Sequence, residues 1–139
     1  LVSLTSKLKS FLYGSFRRVI EALNTEMSYP CFFLEIPEKS FSNGLSDAYR
    51  GYNIGFAIIE EANLDEYDKQ DTLINNTLEH YAEQVTRKVL VDFDMEEKLN
   101  EVNFEPITGG LHDNVFGWRV TINTSFADPI CHDENFWDV

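Results

Sequence analysis

Three histidines, two cysteines and a surplus of carboxylates are the residues of this chain that could do chemistry. His80, His112 and His132 stand in no metal-ligand spacing. Cys131-His132-Asp133-Glu134 sets four potential ligands side by side. Consecutive residues cannot easily converge on one ion, and no second cysteine or histidine pair accompanies them, so the spacing argues against zinc. The acidic run over Asp65–Asp71 lacks the Asp-x-Asp-x-Asp-Gly order of a calcium loop and reads as a helix start with a solvated face. Gly109-Gly110 and Gly117 are not followed by Lys-Ser/Thr and sit in a strand–turn–strand context, so they form no phosphate loop. No Gly-x-Ser-x-Gly elbow is present. Asn75-Asn76-Thr77 and Asn123-Thr124-Ser125 match the glycosylation triplet but fall inside expected regular elements, and they are read as chance. Carboxylate pairs arise from abundance alone, and nothing singles out an acid and a base. The reading is therefore no catalytic residue, no cofactor and no metal, which favours a binding or structural role.

The chain has 139 residues, enough for one domain with one core. It is 43% hydrophobic and 14% aromatic, which sets it apart from disordered compositions. Its 11 Lys and Arg against 24 Asp and Glu give a formal net charge of -13. That balance disfavours tracking a nucleic-acid backbone or an anionic membrane, and suits basic protein partners or cations. No apolar run approaches the ~20 residues of a membrane span, and there is no secretory pattern. The start at Leu1 rather than Met suggests a trimmed or processed product. Cys31 and Cys131 do not make a disulfide framework, so a reducing, cytoplasmic site of synthesis is expected.

Asp65–Asp92 reads as one long amphipathic helix around which the rest is organised. Ile74, Leu78, Tyr81, Val85 and Val89 form an apolar stripe at helical spacing, while Asn75, Glu79, Glu83 and Arg87 form a wet face. Glu83 can pair with Arg87 one turn on. Acids in the first turn and Arg87 and Lys88 near the end suit the helix dipole. Residues 2–25 read as a second helix, from the period of Leu4, Leu8, Leu12, Phe16, Val19 and Leu23, softened at Gly14. Lys7, Lys9, Arg17 and Arg18 lie off that stripe; an ordinary helix covering a sheet is preferred to one that meets a membrane or nucleic acid.

Tyr29–Ile36 reads as a central strand, with Phe32, Leu34 and Ile36 on one side and Cys31, Phe33 and Glu35 on the other. Pro30 and Pro37 bound it. Glu38–Arg50 reads as a long mobile loop. Gly51–Glu60 is a strand that turns Tyr52, Ile54, Phe56 and Ile58 to the helices, with Gly55 and Ala57 behind. Met95–Glu101 fits a short helix or a loop. Val102–Ile107 is a short strand, and Thr108–Asn114 a turn cluster. Val115–Phe126 alternates most clearly: Phe116, Trp118, Val120, Ile122, Thr124 and Phe126 on one face, Gly117, Arg119, Thr121, Asn123 and Ser125 on an open one. The expected fold is an α+β two-layer sandwich in the order α-β-β-α-β-β, a mostly antiparallel four-stranded sheet with two helices on one face. Residues 1–127 make the single domain, and 128–139 a tail whose Phe136 and Trp137 either dock a partner or cover the domain.

The order of a first helix, Tyr29-Pro30-x-x-Phe33-Leu34-Glu35-Ile36, an alternating strand, an acidic-led long helix and then Leu111-His112-Asp113-Asn114-Val115-Phe116-Gly117-Trp118-Arg119-Val120-Thr121-Ile122 resembles the small α+β structural proteins of tailed phages and prophages, in particular the tail terminator or tail-completion proteins. The resemblance covers nearly the whole chain in topology. It implies a non-enzymatic ring subunit, typically hexameric, that stops tube growth at the head-proximal end of the tail and meets tail-tube and neck proteins. It implies assembly in the bacterial cytoplasm and a final place in the virion tail. Two other readings stand beside it: an acidic adaptor or inhibitor-type protein-binding module, and an enzyme with a pocket around His80 or His112.

Overall fold

The alternation of Val115–Ala127 and Tyr49–Glu61 makes these the two longest strands of the molecule, paired antiparallel along their whole length. The structure is a computed structural model, and it describes residues 7–15, 28–42, 49–63, 65–92, 99–108 and 115–127. In chain order the elements are β1 (Ser10–Gly14), β2 (Cys31–Glu35), β3 (Glu38–Ser42), β4 (Tyr49–Glu61), α1 (Tyr67–Thr72), a π-helical turn over Leu73–Thr77, α2 (Leu78–Asp92), β5 (Leu99–Thr108) and β6 (Val115–Ala127). The sheet runs β1-β2-β4-β6-β5, with β3 also paired to β4. Among the described strands only the β1–β2 pair is parallel. The fold is thus α+β: one long helical segment on a six-stranded, mostly antiparallel open sheet.

The helical stripe does what its spacing predicts. Leu78, Ala82 and Val85 are buried and Ile74, Tyr81 and Val89 half-buried against Phe32, Phe56, Ile58, Phe116, Val120 and Ile122 of the sheet. Fully burying side chains of this size stabilises by about 1.5–3 kcal/mol each. The buried Thr86 hydroxyl donates to the Ala82 carbonyl one turn back, at 2.8 Å, so it costs the core little. On the wet side Lys88 pairs with Asp92 at 2.9 Å. The π turn widens the backbone at Asn75-Asn76-Thr77, residues of low helix propensity. The Trp118 indole of β6 donates to the Ile74 carbonyl there, at 2.6 Å. Among the described residues no helix is long and apolar enough to cross a membrane.

Several expectations are corrected. Residues 10–14 are strand, not part of a helix over 2–25; the other residues of that span, apart from 7–9 and 15, lie outside the described ones. Leu8, ahead of the strand, packs into the helix-side core, whereas Leu12 within it joins the cluster on the other face, so the two are not one stripe. Phe11, Leu12 and Tyr13 pair with β2, and Gly14 closes the strand at φ 149°, a conformation that other residues rarely adopt. The predicted loop Glu38–Arg50 holds a strand at Glu38–Ser42, and Tyr49 and Arg50 already belong to β4. Among the described residues the order is accordingly β-β-β-β-α-β-β, with six strands and one long helical segment, where α-β-β-α-β-β with four strands and two helices on one face was expected. Finally, the sheet's second face is not uniformly open. Cys31, Phe33, Ala57, Ile59 and Val115 form a second buried apolar cluster on it, joined by Leu12, Tyr29 and Ile107. The two faces of β2 are both apolar, as its central position requires. The strand expected at Val102–Ile107 extends to Leu99, so the end of Met95–Glu101 is strand as well. The cluster at residues 109–114 and the tail over 128–139 lie outside the described residues.

Among the described strands the open edges are β1 and β3 on one side of the sheet and β5 on the other, and β1 and β5 carry exposed aromatics. Phe11 and Tyr13 stand out on β1 and Phe104 on β5.

Candidate functional site: the polar face of the sheet

Two irregularities in the ladder build the polar part of the second face. Leu34 faces Phe56 and Glu38 faces Asn53, so four steps along β2 and β3 span three along β4. The extra residue lies at Ile36-Pro37, where proline has no N–H to give the ladder. The bulge reverses the alternation, and so Glu38 joins Glu35 on the same face. A second bulge lies in β5, where Leu99 faces Thr124 and Glu101 faces Asn123. Asn100 is the extra residue, and its side chain reaches over β6.

At the centre Arg119 of β6 grips Glu35 of β2 across the intervening strand. Its Nε donates to Oε1 at 2.7 Å and its Nη2 to Oε2 at 2.8 Å, a two-pronged pair. The strand between them can be crossed because residue 55 has no side chain. A Cβ there would collide with the Glu35 carboxylate and touch Arg119. Glu105 of β5 approaches Arg119 at 3.9 Å. The hydrogen bonding that Arg119 donates to Glu35 leads in raising the guanidinium above its ordinary pKa; burial opposes it, and the charges of Glu35, Glu105 and Glu38 add to it.

Beside this pair runs a relay of amides. Asn100 donates to Asn123 at 2.8 Å and to the Ser125 hydroxyl at 2.6 Å, and Asn123 donates in turn to Asn53. The relay ties β5, β6 and β4 together side chain to side chain. Two shallow clefts flank Arg119 and share Glu35 and Ile36. One of about 240 Å³ opens over Asn53, Glu101 and Asn103; one of about 520 Å³ opens toward Gly14 and Ser15.

The chemistry on offer is recognition. Glu35, Glu38 and Glu105 act on the Arg119 guanidinium and Glu101 lines the same cleft, so the face is acidic and rich in acceptors. Among the described residues no group of His, Cys, Asp and Glu is placed to hold a metal ion. His80 is exposed on α2, on the far side of the sheet, with its ring 6.5 Å from that of Tyr81. His112, Cys131, His132, Asp133 and Glu134 lie outside the described residues. The run over Asp65–Asp71 is a helix start, where the Glu66 carboxylate accepts from the Asn63 N–H at 3.2 Å and Gln70 donates to the Asn63 carbonyl at 2.7 Å. Cys31 is fully buried; burial pushes its thiol pKa up, and a hydrogen bond with Ser10 pulls the other way.

Strand alternation alone puts Arg119 and Asn123 on the second face. It does not connect Arg119 to Glu35 or Asn123 to Asn53, because those pairings depend on strand order. The one local hint is Gly55 inside an otherwise strong strand, a sign of close approach by another group. Compared with known proteins, the chain matches no family model, no curated protein and no solved structure.

Proposed function

We propose that this chain is a non-enzymatic structural subunit of a phage or prophage tail, acting at the tail terminus or head–tail joint and assembling as a ring through sheet-edge and loop contacts. One observation carries the assembly part of the reading: an open sheet whose terminal strands β1 and β5 both expose aromatic side chains. Exposed edges and large apolar side chains are what a subunit offers to its neighbours, and what a monomer ordinarily covers or charges. The tail assignment rests on the resemblance carried by the segments of β2, β4, α2 and β6, without the first helix it also included, since Ser10–Gly14 is strand, and it is analogy at the level of fold. Tail-tube and neck proteins are the partners it implies.

Gene order tests the tail assignment. A tail-tube or sheath gene adjacent to this one, with capsid and portal genes upstream, supports it; flanking metabolic or regulatory genes overturn it. The acidic sheet face favours a second reading, an adaptor or inhibitor that binds a basic protein. That reading expects a monomer whose affinity for its partner falls steeply with salt.

A further inference from the structure

The apolar cluster on the second face of the sheet is built from strand residues and Tyr29, while α2 packs on the opposite face. Cys31, Phe33, Ala57, Ile59 and Val115 are nevertheless each at most 3% exposed. A bare sheet face leaves such side chains partly wet, so something lies over them.

The path of the chain points to its cover. β1 and β2 are parallel neighbours, so the connection between them must cross back along the sheet. Both of its described ends stand on the second face. Ser15, just after β1, lines the larger cleft with Glu35 and Arg119. Ser28, just before β2, offers its carbonyl to the Ser10 hydroxyl at 2.5 Å, and Ser10 lies opposite Cys31 on that face.

Handedness leads to the same side. Parallel crossovers within one sheet are right-handed in about 98% of cases. β4 and β5 are also parallel to each other, with β6 between them, and α1 and α2 make their crossover. Both crossovers advance toward the β5 edge, but β1 points opposite to β4. Two crossovers of one hand that advance the same way from opposed strands lie on opposite faces. With α2 on one face, the β1–β2 crossover falls on the other.

The residues between suit that course. Phe16, Val19, Ile20, Leu23 and Met27 recur at helical spacing, and Arg18, Glu21 and Thr25 fall opposite them. The twelve residues 16–27 make a helix of about 18 Å, close to the ~16 Å of the five-residue strand they run back along.

We infer that residues 16–27, outside the described ones, return from β1 to β2 as a helix on the second face, with Phe16, Val19, Ile20, Leu23 and Met27 turned onto Cys31, Phe33, Ala57 and Ile59. The apolar half of that face is then internal to the chain, and a partner is left the polar half around Arg119, Asn53 and Asn123.

Cys31 reports on the cover in the full chain carrying Cys131→Ser. Leu23→Cys and Met27→Cys should each oxidise to an intrachain disulfide with Cys31, read by peptide mass spectrometry, whereas Thr25→Cys should not. Ile20→Asp should speed the reaction of Cys31 with iodoacetamide at least about tenfold, in a chain that circular dichroism shows to be folded. Thr25→Asp should leave that rate within about twofold. Disulfides formed equally from all three cysteine variants, or from none, overturn the inference even if Ile20→Asp unfolds the chain. Protection of Cys31 that survives Ile20→Asp but is lost in a Phe136→Asp, Trp137→Asp chain assigns the cover to residues 128–139 and overturns it too. Protection that falls on dilution assigns the cover to a second copy, with the same consequence. The tail assignment is untouched by any of these results, since gene order decides it.

Discussion

The two sides of the β4–β6 pair are one residue apart in sequence and work by different physics. On the helix side Phe56, Ile58, Val120 and Ile122 are buried among one another and under α2. Any apolar side chain of about the right volume could contribute there. On the other side, over the stretch that holds Arg119, Thr121 and Asn123, the contacts are directional: a two-pronged ion pair, an amide relay and two bulges that aim them. Hydrophobic burial is large and indifferent to register, whereas hydrogen bonds are individually modest and demand it. The first side supplies stability, and the second specifies which residues face each other.

Adjacent residues of β6 give the sharpest test. Trp118→Ala removes a ring packed against the helical core and strands the Ile74 carbonyl, so it should cost about 3–5 kcal/mol in urea unfolding. Trp118→Phe keeps most of the ring and loses the indole donor, so about 1–2 kcal/mol is expected. Gly117→Ala comes next at about 2–3 kcal/mol, because its new Cβ would strike the Ile58 carbonyl, which is backbone and cannot swing away. Arg119→Ala should cost only about 1 kcal/mol, since both partners keep contact with water and Glu35 can rehydrate. Losses of equal size at 118 and 119 would break the contrast between the faces.

The ion pair should also be insensitive to moderate alkali. Arg119 has its pKa raised in the folded state. Its contribution is therefore fully present below the guanidinium's ordinary value and is lost only as pH rises through the higher folded one. A Glu35→Gln by Arg119→Ala double-mutant cycle should return the same coupling energy at about pH 7 and pH 9. The smallest effect is expected at Lys88→Ala on the wet face of α2, within about 0.5 kcal/mol. Cys31 provides a chemical counterpart: in a Cys131→Ser background it should react with iodoacetamide far more slowly than in the urea-unfolded chain, because it is buried with its thiol pKa raised.

Long periodic segments were legible from the residues. The stripe Ile74–Leu78–Tyr81–Val85–Val89 and the alternation in β4 and β6 each repeat often enough that only one secondary structure fits. Short segments were not. β1 has five residues, too few to show a period of its own, and pairing with β2 decided it. β3 has almost no hydrophobic alternation in Glu38-Lys39-Ser40-Phe41-Ser42, and it is a strand because β4 extends far enough to offer it a ladder. Pro37 signalled an interruption correctly, but whether the ladder resumes beyond it is a property of the partner strand.

The amino-acid sequence by itself determined the α+β class, the position and buried face of the long helix, the two long strands and their apolar sides, and the acidic character of the surface. Those follow from local periodicity and composition, which need no knowledge of neighbours. Tertiary structure alone decided the six-strand order, the parallel β1–β2 pair, the second apolar cluster and the meeting of Glu35 with Arg119, 84 residues apart in the chain. Each of these is a choice between distant strands, and a hydrogen-bond ladder can be completed by any strand of the right length. What selects among them is the fit of all the faces together: a glycine where a carboxylate must cross, and a bulge where a proline cannot donate.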